Sequence, residues 1–95
     1  MKDQDLKQKF NNEPRYGLTR VSGGRVFHVF DKHVQMIGYS AKHKRSGQVA
    51  ICGFRPRWYA AGINTQWSNN LLSRYPLCVK CREKLERLLI DSNLT

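Results

Sequence analysis

Cys78 and Cys81 form a C-x-x-C, and twenty-five residues separate Cys52 from that pair. Two thiolates separated by two residues can both reach one tetrahedral ion, so the pair supplies half of a structural zinc site. Cys52 is followed by Gly53. A glycine there lets backbone N–H groups approach the sulfur with no Cβ in the way, which suits a third ligand. The chain has three cysteines and three histidines, so the fourth ligand is expected to be a histidine. His28 is preferred, in an apolar stretch just after Gly23-Gly24. His43, in a basic loop eight intervening residues before Cys52, is the alternative, and His33 completes the set.

Other uses of the same residues are weighed against zinc. A lone cysteine in an apolar stretch is often a small buried hydrophobe. A C-x-x-C can be a redox dithiol, but a thioredoxin-like fold needs more chain than the fourteen residues that follow Cys81. Magnesium nucleases need clustered carboxylates, and no Asp or Glu occurs from Lys32 to Arg82. The run His28–His33, HVFDKH, places Asp31 between two histidines without a second acidic ligand nearby. No phosphate-binding G-x-x-x-x-G-K-[ST] loop and no H-E-x-x-H is present. The chain is therefore expected to bind rather than to catalyse.

What it binds is suggested by charge. Seventeen Lys and Arg stand against seven Asp and Glu, a formal +10. The acid-free stretch carries nine of those cations, and a one-sign field of this kind attracts polyanions. Phe54-Arg55-Pro56-Arg57-Trp58-Tyr59 interleaves cations with aromatics, and Lys42, Lys44 and Arg45 form a second cluster. Arg and Lys neutralise phosphates while exposed aromatics stack on unpaired bases. Lys42, Lys44, Arg45, Arg55, Arg57 and Trp58 are thus the candidate nucleic-acid contacts, for DNA or RNA, in a regulatory role. Trp58, Tyr59 and Trp67 are also candidates for the core. A second reading is an accessory protein that docks this basic surface on an acidic protein face and modulates or inhibits a host protein, with Trp, Tyr and Arg as interface anchors.

The elements that must position these residues are short. Ninety-five residues suit one domain with a limited core. Residues 1–20 are expected as a flexible or short-helical lead-in, with Leu6 and Phe10 four apart and a stop at Asn11, Asn12 and Pro14. Residues 21–95 form the zinc-stabilised domain. Strands are expected at 25–30, 33–40 and 48–54, with a fourth at 58–61 and a polar loop over 62–70. The end is the clearest element. Cys81–Ile90 places Leu85, Leu88 and Leu89 at i, i+3, i+4, with Glu83 and Arg87 as a helical ion pair. The dipole of that helix would favour thiolate at its start. The fold class is then α+β: a small antiparallel sheet, a zinc site and a C-terminal amphipathic helix. The polar N-terminus carries no apolar leader, and no stretch is long enough to span a bilayer. A cytoplasmic, non-membrane protein with reduced thiols is expected.

The order His28, Cys52-Gly53, Trp67, Cys78-x-x-Cys81 and Leu85 resembles that of small bacterial and phage zinc-binding proteins, over roughly the last seventy residues. It also resembles treble-clef fingers, whose last two ligands sit at a helix start. Treble clefs take their first two ligands from one knuckle, whereas Cys52 stands alone here. The resemblance implies a small metal-stapled binding protein.

Overall fold

A computed structural model of the chain describes residues 3–20, 24–36, 38–57 and 61–94. The expected α+β class is present. Helices α1 (Asp3–Lys9), α2 (Asn69–Arg74) and α3 (Val79–Leu94) accompany two two-stranded antiparallel sheets. The first sheet pairs β1 (Tyr16–Thr19) with β2 (His28–Asp31), and the second pairs β3 (Tyr39–Ser40) with β4 (Arg45–Ser46). Among the described residues, no helix is long and apolar enough to cross a membrane.

The first twenty residues are more than a lead-in. Helix α1 forms where Leu6 and Phe10 predict it, and both side chains are buried in the core. It ends at Lys9, ahead of Asn12, whose φ of 57° breaks the helical path. Strand β1 follows and pairs with β2 along its full length, from Tyr16 opposite Asp31 to Thr19 opposite His28. Lys7 is buried, and its ammonium donates to the carbonyls of Leu72 and Tyr75 while facing Asp3. Asp3 in turn accepts from the Leu77 N–H at 3.2 Å. Helix α1 therefore clamps the segment that runs into Cys78.

The middle of the chain holds less strand than its β-branched content suggests. Residues 33–40 begin with a 3₁₀ turn, Lys32–Val34, capped by the Asp31 carboxylate on the His33 N–H at 3.0 Å. Among the described residues of that stretch, Tyr39 and Ser40 are strand. Residues 48–54 make one bridge, Ala50 to Phe30, before turning. The reason is a side chain. Gln35 accepts from the Val49 N–H at 2.8 Å and donates to the Val49 carbonyl at 3.0 Å. Both backbone groups of Val49 are thus satisfied without a neighbouring strand, and a satisfied backbone needs no ladder.

The segment expected as polar loop carries structure too. A 3₁₀ turn spans Ala61–Asn64, and Ser68 caps α2 through the Leu71 N–H at 3.3 Å. Trp67 is half-buried and donates from Nε1 to the Leu18 carbonyl at 2.7 Å, while Asn11 brackets its backbone with two bonds of 2.9 Å. Gly17 lies so close to the Ile63 carbonyl that any side chain there would collide with it. Residues 58–60, of the expected fourth strand, lie outside the described residues. Helix α3 buries Cys81 and Leu85 and half-buries Leu89, but it leaves Leu88, the third leucine of the expected stripe, exposed. Its ion pair joins Arg82 to Glu86 at 3.2 Å, where Glu83 with Arg87 was the expected partnership.

Candidate metal centre

Strand β2 and the residue before it organise the site through the backbone. Phe27 accepts from the Cys78 N–H and donates to the Pro76 carbonyl, both at 2.8 Å. Val29 accepts from the Ile51 N–H at 2.8 Å, and its own N–H points to the Cys81 sulfur at 3.4 Å. His28 sits between these two residues. The chain that carries the histidine therefore grips the chains that carry all three cysteines.

Each cysteine occupies a distinct local device. Cys52 lies in a tight turn where the Gly53 N–H donates to the Ala50 carbonyl at 2.9 Å and the Ala50 N–H to the Phe54 carbonyl at 2.8 Å. Gly53 closes that turn with φ of 91°, a backbone state that L side chains adopt only with strain. This turn forms the knuckle that carries Cys52. Cys78 immediately precedes Val79, the first residue of α3, and its carbonyl takes the Arg82 N–H at 2.9 Å. Cys81 points inward from the first turn and is fully buried.

The result is a cluster of four ligand atoms, all within 4.8 Å of one another: His28 Nδ1 and the sulfurs of Cys52, Cys78 and Cys81. The Cys52 sulfur is 3.7 Å and the Cys81 sulfur 3.9 Å from Nδ1, and the sulfurs of Cys52 and Cys78 are 4.0 Å apart. Tetrahedral bonding at ordinary Zn–S and Zn–N lengths calls for edges of about 3.8 Å between sulfurs and about 3.6 Å between sulfur and nitrogen. These three edges differ from that cage by a few tenths of an ångström at most. The four residues lie close enough to hold a metal ion.

Electrostatics favour a cation in this space. Burial pushes the Cys81 thiol well above its ordinary value, as do Cys52 and Cys78 beside it, against a smaller downward pull from the Val29 N–H. A divalent ion reverses that balance by placing charge where the thiolates need it. Burial lowers the His28 pKa, which keeps the imidazole neutral and its lone pair available. Its ring stacks on Phe54, centroids 4.4 Å apart and planes within 6°. Phe54 is a supporting residue that spacing did not single out; its position two residues after Cys52 is the available signal.

Of the three histidines, His28 joins the cysteines. His43 is exposed on the turn between β3 and β4, and His33 is exposed on the 3₁₀ turn. His43, Arg45, Gly53, Phe54 and Arg55 instead line a shallow cavity of about 310 Å³ on the outer side of the knuckle. Asp31 in HVFDKH is buried and engaged by Arg15 at 3.1 Å, leaving it no part in a nuclease-like cluster. The candidate nucleic-acid contacts divide as follows. Lys42 and Lys44 are exposed on the β3–β4 turn, which Lys44 rounds with φ of 53°. Arg45 donates to the Arg55 carbonyl at 3.4 Å, and the Ser46 N–H to the Pro56 carbonyl at 3.2 Å, so the two basic runs lie side by side. Arg57 is exposed, and Trp58 lies outside the described residues.

Comparison with protein-family models, with curated proteins and with solved structures returns no match, so the site stands on its own geometry.

Proposed function

We propose that this chain is a zinc-stapled module that binds nucleic acid through the basic face beside the knuckle. The observation that carries the reading is the convergence on Cys52-Gly53. Cys52 joins the other three ligand atoms, while Gly53 lines a cavity with His43 and Arg45 of the hairpin and with Arg55, whose carbonyl accepts from Arg45. Three thiolates and an imidazole make a soft, closed donor set, the type used by structural zinc. With four protein ligands no position is left for a substrate or an activated water, which supports a binding role over a catalytic one. The ion would hold the knuckle, β2 and α3 together, and the knuckle would hold the hairpin. The cations there would neutralise phosphates and set the register on the strand. The arrangement remains akin to the bacterial and phage zinc-binding pattern in its ligand order. A cytoplasmic location agrees with three reduced thiols on one ion.

Two measurements test this reading. Elemental analysis of protein purified without a His-tag should give one zinc per chain. Fluorescence anisotropy with single- and double-stranded oligonucleotides should give an affinity that falls linearly in log salt. Lys42→Glu with Lys44→Glu should weaken binding at least tenfold and lower the duplex salt slope by about two, with zinc content and Tm unchanged. Equal affinity and slope in that variant would exclude the hairpin as the contact surface.

A further inference from the structure

A second basic feature lies away from the knuckle. Arg20, just after β1, together with Arg25, Arg74 and Tyr75, at the end of α2, lines a cleft of about 630 Å³. Its volume falls in the range of small-molecule sites. Among the described residues, no carboxylate lines it.

The cleft has a built floor. The Arg20 guanidinium lies over the Tyr75 ring, 3.9 Å from its centroid, and Nη1 donates to the Gly24 carbonyl at 3.2 Å. The Tyr75 ring meets Phe27 edge to face at 6.4 Å, and its carbonyl accepts from buried Lys7 at 2.8 Å. Arg20 is thus held on a platform fastened to the core, not waving in solvent. Its Nε is buried and has no hydrogen-bond partner among the described residues. Arg25 and Arg74 are exposed at the same cleft and add two further planar donors.

We propose that this cleft binds a phosphate group. Three guanidinium forks with no acid among them match the charge and the oxygen geometry of a phosphate, and a guanidinium already stacked on an aromatic ring loses little freedom on binding. The phosphate could belong to free phosphate or nucleotide, or to the end or backbone of a nucleic acid. The site is separate from the β3–β4 hairpin and does not depend on the hairpin's role.

The test follows the Arg20 Nε–H signal by NMR in the zinc-loaded full chain carrying Lys42→Glu and Lys44→Glu, so that hairpin binding does not contribute. Three probes are titrated at constant ionic strength: inorganic phosphate, a short oligonucleotide with a 5′-phosphate, and the same oligonucleotide without it. A saturable shift with inorganic phosphate supports the pocket and assigns it to free phosphate or nucleotide. A shift only with oligonucleotide supports it and assigns it to nucleic acid, with the 5′-phosphate dependence separating end from backbone. Either shift should need at least tenfold more ligand after Arg25→Gln with Arg74→Gln, two exposed positions whose substitution leaves the core intact. No saturable shift with any of the three probes, or an unchanged midpoint in the double Gln variant, overturns the proposal.

Discussion

Replacing Cys81 separates a metal ligand from a core residue. Its side chain is fully buried, 3.9 Å from His28 Nδ1, and its sulfur takes the Val29 N–H at 3.4 Å. Were the residue core alone, Cys81→Ser would keep that N–H acceptor and cost about 1–2 kcal/mol, chiefly for burying a hydroxyl. In a domain of this size that lowers Tm by about 4–16 °C. The loss would be the same with or without a chelator. As one of four zinc ligands, the cysteine carries a share of a binding free energy of about 10–16 kcal/mol, so its removal costs about 3–4 kcal/mol. That corresponds to a fall in zinc affinity of about 10²–10³-fold. The assay pairs competition against a chromophoric zinc chelator with thermal unfolding, each on wild type and Cys81→Ser. The expected result is weakened zinc retention, and a Tm gap between the proteins that is wide with zinc and narrow after chelation. A zinc affinity within tenfold of wild type, with the same Tm gap in both conditions, would refute the ligand assignment.

Further outcomes follow from single contacts. Gly53→Ala keeps open space around the new Cβ but must hold φ near 91°, so it should destabilise the protein by about 1–2 kcal/mol, read in urea unfolding. Lys7→Met leaves the carbonyls of Leu72 and Tyr75 without their ammonium donor, and a loss of about 1–3 kcal/mol is expected from the same measurement. An unchanged midpoint would show that water replaces the amine. Asp31 should make the fold acid-sensitive. Burial raises its pKa, but the hydrogen bond from Arg15, the His33 N–H and their charges outweigh it, and the net shift is downward. A carboxyl with a depressed folded pKa stabilises above its unfolded value near ~3.9 and loses that contribution as pH falls through the folded value. Wild type should therefore lose more stability than Asp31→Asn when acidified from pH 5 to pH 2, and parallel curves would remove Asp31 from the acid transition.

Local sequence determined those features that short-range physics settles alone. Leu6 and Phe10 define α1, the Leu85 and Leu89 stripe defines α3, and Cys78-x-x-Cys81 falls where that helix begins. Gly53 after Cys52 marked a special backbone position, which the structure uses for a turn with φ of 91° and not to admit a close neighbour, since the space around its absent Cβ is open. The acid-free run from Lys32 to Arg82 is a fact of the sequence, while the structure sets Glu83 beside Cys52 of that run. The tertiary structure decided the rest. His28 rather than His43 reaches the sulfurs because backbone bonds from Phe27 and Val29 bring Cys78 and Ile51 to either side of it, contacts that span more than twenty residues. The expected strand over 48–54 gave way to a single bridge because Gln35, fourteen residues earlier, satisfies Val49 with its side-chain amide. The first twenty residues joined the core through a buried lysine whose acceptors lie some seventy residues away. Helical periodicity and turn chemistry act over a few residues, whereas a ligand cage and a side chain standing in for a strand exist only after distant segments meet.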